Sequence, residues 1–169
     1  MSAQMQSDSK MLDRRWSQVS VSRTIAVQQE AVWAAIADHK RWLTWYRPLK
    51  GFRLLEGDEL AIGALVWEHE GPWKTTAEVL EWEEGRTVGL AMRTLNLRGL
   101  LSSYYRRIEL QAVATDQEPR TEVTITGGFA FGPLGWVLFA YTYPQMLATM
   151  YFEYRSALKG LAEAVEKAS

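Results

Sequence analysis

His69, Tyr104 and Arg106 are the side chains of this sequence that could do chemistry in an apolar setting. His69 lies near the end of the run Leu65-Val66-Trp67-Glu68-His69-Glu70. Period-two alternation places Leu65, Trp67 and His69 on one face, with Glu68 and Glu70 on the other. A histidine on a pocket wall can act as general acid or base. The bland alternative is a strand-end histidine holding one hydrogen bond. Its flanking glutamates point the other way, so they form neither a triad nor a metal cluster with it. For Arg106 the phase is set by Ile108 and Leu110, which carry Tyr104 and Arg106 inward. A buried guanidinium without a partner costs several kcal/mol. It must therefore meet a carboxylate, backbone carbonyls, a ligand anion or water. Facing inward, it would suit a ligand bearing a carboxylate, phenolate or enolate. In the opposite phase Arg106 is solvated, with Arg107 inside or neither.

These residues need a scaffold, and the composition bounds it. At 169 residues the chain suits one domain, able to bury roughly two-thirds of its unfolded surface. A net charge of −1 gives no pull towards nucleic acid or an anionic membrane. With no cysteine there is no disulfide, thiol nucleophile or thiolate metal site. Eight tryptophans and seven tyrosines can fill a core or line an apolar pocket. No paired-ligand metal spacing, nucleophile elbow or phosphate-binding glycine loop is present, so neither metal nor cofactor is expected. No secretory signal is visible, and a cytoplasmic location is the default. Residues 123–152 lack charge, but their glycines, prolines and threonines favour a buried strand plus helix over a membrane span.

Residues 1–15 are polar and patternless and read as a disordered tail, with one domain from 16 to 169. Val19, Val21 and Ile25 mark a first strand. Gln28 to Asp38 follows as a helix, and Asp38 can cap a second short helix carrying Trp42 and Trp45 until Pro48. Strands are expected at about 50–56, 63–70, 73–82, 86–95, 101–114 and 120–130, joined by turns such as Glu70-Gly71-Pro72 and Glu83-Glu84-Gly85. Short connections imply an antiparallel meander. Beyond it, Leu147, Met150, Tyr151, Tyr154, Leu158, Leu161 and Val165 recur at helical spacing. Pro144 fits the start of this helix better than its interior. The order is α+β: a curved sheet around a long C-terminal helix.

Val32-Trp33, Ile36-Ala37-Asp38, Trp42 and Trp45 resemble the opening of the polyketide cyclase/dehydratase-like (SRPBCC) branch of the START/Bet v 1-like superfamily. Gly63, Val79 and Thr121-Glu122-Val123-Thr124 are similar to later landmarks, as are Gly132-Pro133-Leu134-Gly135 and Leu158-Lys159-Gly160-Leu161. The resemblance covers about residues 17 to 167. It implies a helix-grip fold, with a seven-stranded antiparallel sheet gripping the helix around a cavity for hydrophobic ligands. The family shares no single catalytic set, so it implies no catalytic residue here.

The expected lining is apolar: Trp67, Trp73, Leu90, Met92, Phe129, Tyr143, Leu147 and Tyr151. His69, Thr94, Tyr104 and Arg106 supply polar anchors, and Trp45 and Tyr46 form the mouth. The segment 133–143 is apolar and could be a lid, a homodimer contact or a membrane-touching patch. The function expected is binding of an aromatic polyketide-, isoprenoid- or lipid-like molecule by a carrier or sensor. The alternative is a cyclase- or dehydratase-type enzyme using His69, Tyr104 or Arg106 in the same pocket.

Overall fold

The structure, a computed structural model, describes residues 17–71, 73–94, 101–114, 118–131 and 143–168; at Ser17, Trp73, Arg93, Thr94, Leu101 to Ser103, Ala130 and Phe131 it describes the backbone alone. The tail 1–15 and most of the apolar segment 133–143 therefore lie outside the described residues.

β1 (Ser17–Ile25) leads through α1 (Gln29–Ala37) and a single 3-10 turn (His39–Arg41) into the one-turn α2 (Trp42–Trp45). As expected, Asp38 caps the second unit, its Oδ1 accepting from the Lys40 amide at 3.0 Å. The last carbonyls of α1 find donors in the next element. The Trp42 indole N–H donates to the Ile36 carbonyl at 2.7 Å, and the Trp45 indole N–H to the Ala35 carbonyl at 3.2 Å. Two tryptophans thus fold the short helices onto one another while satisfying backbone that would otherwise be buried unpaired.

Six further strands follow: β2 (Leu49–Leu54), β3 (Leu65–Glu70), β4 (Trp73–Glu83), β5 (Thr87–Thr94), β6 (Leu101–Val113) and β7 (Arg120–Phe131). The sheet runs β1-β7-β6-β5-β4-β3-β2, antiparallel throughout, so the meander closes at one edge with β1 beside β7. Its turns are as tight as their residues imply. Between β4 and β5, Gly85 adopts a positive φ of 77° and the Arg86 amide donates to the Glu83 carbonyl at 2.9 Å. Irregularities in register between Leu49 and Gly51 and between Val79 and Glu81 help the sheet to curl.

α3 (Tyr143–Glu166) lies in the hollow of this half-barrel, packed chiefly on β1 and α2, with Pro144 in its first turn. Met150, Tyr154, Ala157, Leu158, Leu161 and Val165 form its buried stripe. Gly160 allows the closest approach: a Cβ there would stand 2.2 Å from the Trp45 carbonyl oxygen. This is the helix-grip architecture. Of the uncharged stretch 123–152, residues 123–131 belong to β7 and 143–152 to α3, and no described helix is long and apolar enough to cross a membrane.

Candidate functional site

The inner face of the sheet follows from strand parity. Thr75, Ala77 and Val79 of β4, Val88, Leu90 and Met92 of β5, Ile108 and Leu110 of β6, and Val123, Ile125 and Phe129 of β7 are all buried, as their alternation predicts. Arg106 is fully buried on the same face, in register with Leu90 and Gly127.

β3 corrects the sequence reading. Val66 and Glu68 are fully buried, whereas Leu65, Trp67 and His69 are only partly so. The strand therefore presents Val66, Glu68 and Glu70 inward, and Trp67 and His69 outward. The register makes this unavoidable. Glu68 stands opposite Thr75 and Val66 opposite Ala77, and residues directly opposite in an antiparallel pair share a face. On the outer face Trp67 lies over Gly51, where a Cβ would come within 2.7 Å of its ring. It is flanked by the Arg53 guanidinium at 5.1 Å and by the His69 ring at 5.9 Å. His69 consequently has no part in an interior acid–base set.

The side chain that meets Arg106 is Glu68. Its Oε1 accepts from Arg106 Nη2, and both side chains are completely buried. β3 and β6 are three strands apart, a gap of roughly 14 Å in a flat sheet. The curl of the half-barrel brings them into contact. The guanidinium carbon also lies 4.5 Å from the Tyr46 ring centroid and 5.5 Å from that of Trp42, so two aromatic faces share its charge. Desolvation opposes ionisation of Glu68 and raises its pKa, with Arg106 pulling the other way. Burial works against the charge of Arg106, but Glu68, Tyr46, Glu70 and Tyr104 together outweigh it and hold the guanidinium well above its ordinary range.

Two residues along β3 comes Glu70. Burial pushes its carboxyl from 4.5 up to about 7, partly offset by Arg106 and reinforced by Glu153 and Glu68. Among the described residues its Oε1 is buried without a hydrogen-bond partner, and so are Nε and Nη1 of Arg106, Glu68 Oε2 and the Tyr46 hydroxyl. Beside them the Tyr104 and Tyr154 hydroxyls bond at 2.9 Å, joining β6 to α3. Tyr154 reaches the sheet because position 127 is glycine; a Cβ there would stand 1.8 Å from its hydroxyl. Burial raises the pKa of both phenols, so they stay protonated at neutral pH.

Leu90, Met92 and Phe129 are buried on the apolar side, with Tyr143 edge-on to Phe129 at 5.9 Å and Leu147 partly buried nearby. Trp45 and Tyr46 do not rim an opening: both are fully buried, Trp45 pinned between α1 and Gly160, Tyr46 against Arg106. Tyr151 falls off the buried stripe of α3 and is 42% exposed, edge-on to the exposed Phe152. The side chains of Trp73 and Thr94 lie outside the described residues. The site thus gathers Tyr104, Arg106 and Tyr46 with three residues that sequence reasoning left out: Glu68, Glu70 and Tyr154. Parity across the Gly71-Pro72 hairpin was the signal for the two glutamates. A two-residue turn pairs Glu70 with Trp73, and hence Glu68 with Thr75. Among the described residues no group of three or more acidic or histidine side chains could hold a metal ion.

Residues 17–166 match the family model described as polyketide cyclase / dehydrase and lipid transport. The chain belongs to that family. This places a helix-grip protein among relatives whose description joins ring-forming and water-eliminating chemistry with the carriage of lipids. No curated protein matches the chain. Among solved structures, a START superfamily protein from Mycobacterium smegmatis aligns with 13% identity over 90% of this chain and 99% of its own, at a TM-score of 0.68. The Zhui aromatase/cyclase from a Streptomyces species aligns with 15% identity over 89% and 93%, at 0.65. A Chromobacterium violaceum protein aligns with 19% identity over 89% and 97%, at 0.62. At such identities these likenesses establish the fold alone.

Proposed function

We propose that this polyketide cyclase/dehydrase and lipid transport family member binds a hydrophobic small molecule, aromatic polyketide-, isoprenoid- or lipid-like, between the sheet and α3, as a non-catalytic carrier or sensor. The supporting observation is that the inner apolar face ends on a buried polar cluster with unused valences: Nε and Nη1 of Arg106 and Oε1 of Glu70. A core built only for packing would leave such groups paired or absent. Few polar anchors on an apolar wall suit binding more than turnover. His69 is turned away from the interior, and Tyr104 and Tyr154 keep their protons.

One observation favours the alternative, a cyclase- or dehydratase-type enzyme in the same pocket. Glu70 is near half-ionised at neutral pH and could both take and give a proton. Native mass spectrometry of the purified protein, followed by organic extraction, tests the binding reading. A stoichiometric apolar adduct that is released unchanged supports a carrier, and Met92→Trp, which fills the wall, should abolish it. An adduct that the wild type converts and Glu70→Gln retains unconverted would instead establish the enzyme.

A further inference from the structure

The buried face between the sheet and α3 has one polar end, and the charges gathered there restrict what a ligand bound there can carry. This inference rests on the ligand-binding reading above and names the head group of that ligand. The groups facing Glu70 come from every neighbouring element: Glu68 from β3 itself, Tyr104 and Arg106 from β6, Tyr46 beyond α2, and Glu153 and Tyr154 from α3. Arg106, the single cation there among the described residues, is already engaged by Glu68. Two more carboxyl groups, Glu70 and Glu153, lie within its field.

An anionic head group would enter a site whose only positive charge among the described residues is neutralised and whose remaining groups are acids. A cationic head group could donate to Glu68 Oε2 and Glu70 Oε1, but it would stand beside the Arg106 guanidinium, whose two unpartnered nitrogens require an acceptor that it does not carry. What remains is an uncharged oxygen, which can accept from Arg106 and share a hydrogen bond with Glu70. We propose that the polar end of this face takes a hydroxyl or ketone head group on an otherwise apolar ligand, and that Glu70 is the side chain that selects it against carboxylates. A hydroxyl can donate to the Glu70 carboxylate or accept from its acid form. A ketone can only accept: it can take a hydrogen bond from Arg106 at either pH, but one from Glu70 only while that carboxyl is protonated. Ketone binding should therefore weaken as pH rises through the range where Glu70 ionises, and alcohol binding should change little.

The test is displacement of the neutral fluorophore N-phenylnaphthylamine by undecanol, undecan-methyl-ketone and undecanoate, which share one apolar tail, at pH 6 and pH 8. At pH 6 the alcohol and ketone should each bind at least about tenfold more tightly than undecanoate, since an unpaired buried charge costs more than a neutral group. The ketone should weaken by up to about tenfold at pH 8, the loss of protonated Glu70 between pH 6 and pH 8 for a carboxyl that titrates at about 7. In Glu70→Gln, whose amide donates at either pH, the ketone should bind equally at both and the penalty on undecanoate should shrink. Undecanoate binding as tightly as undecanol, or a ketone affinity independent of pH in the wild type, would overturn the assignment. Both comparisons use the wild-type protein, so they stand even if the variant does not fold. If the fluorophore itself finds no saturable site, the ligand-binding reading falls and takes this one with it. If it binds and the three head groups compete equally, only the head-group assignment fails.

Discussion

Arg106 and Arg107 are neighbours on one strand, and alternation sends them to opposite faces with opposite consequences. Arg107 on the outer face pairs with Glu81 at 2.9 Å and Glu109 at 3.2 Å, with more than a third of its side chain in water. It also borders a polar groove of about 590 Å³ lined by Gln29, Glu83, Arg86 and Glu122 among others. Arg106 on the inner face has one carboxylate partner, two aromatic faces and no solvent. Outside, water stands in for any missing partner, and ion pairs there can be lost cheaply. Inside, every polar group depends on the others. A buried ion pair stabilises little relative to an apolar pair of the same shape, but breaking it leaves a stranded charge. The proposed ligand binding accounts for an interior that retains such a cluster beside Leu90 and Met92.

The largest expected effect comes from stranding that charge. Glu68→Ala should destabilise the protein by about 3–5 kcal/mol in chemical denaturation. Replacing both partners, Glu68→Leu with Arg106→Met, should recover most of the loss. If Glu68→Ala were as mild as a surface change, the pair would not be buried as described.

Next in size is a pH effect confined to the inner cluster. Glu70 holds its proton up to about pH 7 when folded but only to its ordinary 4.5 when unfolded. Its contribution is therefore present in full below pH 4.5 and lost as pH rises towards 7. The decline amounts to about 3 kcal/mol at most, at 1.36 kcal/mol per unit. Glu68 and Glu153 are shifted the same way and add to the decline. Thermal melts from pH 5 to 8 should show wild-type stability falling with pH, and a shallower slope in Glu70→Gln. A rise would contradict the assignment.

Gly127→Ala should cost about 1–3 kcal/mol by overpacking the Tyr154 hydroxyl. Combining it with Tyr154→Phe should cost less than the sum of the two, because the ring alone can shift. A double-mutant cycle measures that coupling. At the bottom of the scale, Arg107→Ala on the outer face should change stability by less than about 1 kcal/mol, and less still in high salt.

Most of the fold was legible because it is written locally. Turns at Glu70-Gly71-Pro72 and Glu83-Glu84-Gly85, alternation on β4 to β7 and the stripe of α3 each report themselves within a dozen residues. The site was half legible for the same reason. Tyr104 and Arg106 share the phase of Ile108 and Leu110, so their inward direction could be read. Glu68 and Glu70 could not be read from β3 alone, because hydrophobic weighting of Leu65 and Trp67 argues for the opposite phase. Trp67 instead covers Gly51 on the neighbouring strand, a contact set by strand order. The Glu68–Arg106 pair spans three strands, and its contact arises from the curvature of the whole sheet. Trp45 was misplaced for a similar reason: its burial depends on Gly160, more than a hundred residues away.

The most direct test of ligand binding between the sheet and α3 uses the methionines. Met92 on the inner face of the sheet, with Met146 and Met150 on α3, samples the sheet–helix interface, whereas Met1, Met5 and Met11 belong to the N-terminal segment. Methionine-methyl NMR during titration with N-phenylnaphthylamine should show saturable one-to-one shifts of Met92 and of at least one of the two helix methyls, with the three N-terminal signals unmoved. Saturable binding that leaves Met92, Met146 and Met150 unmoved would place the ligand elsewhere, and no binding at all would mean that the grip is packed solid.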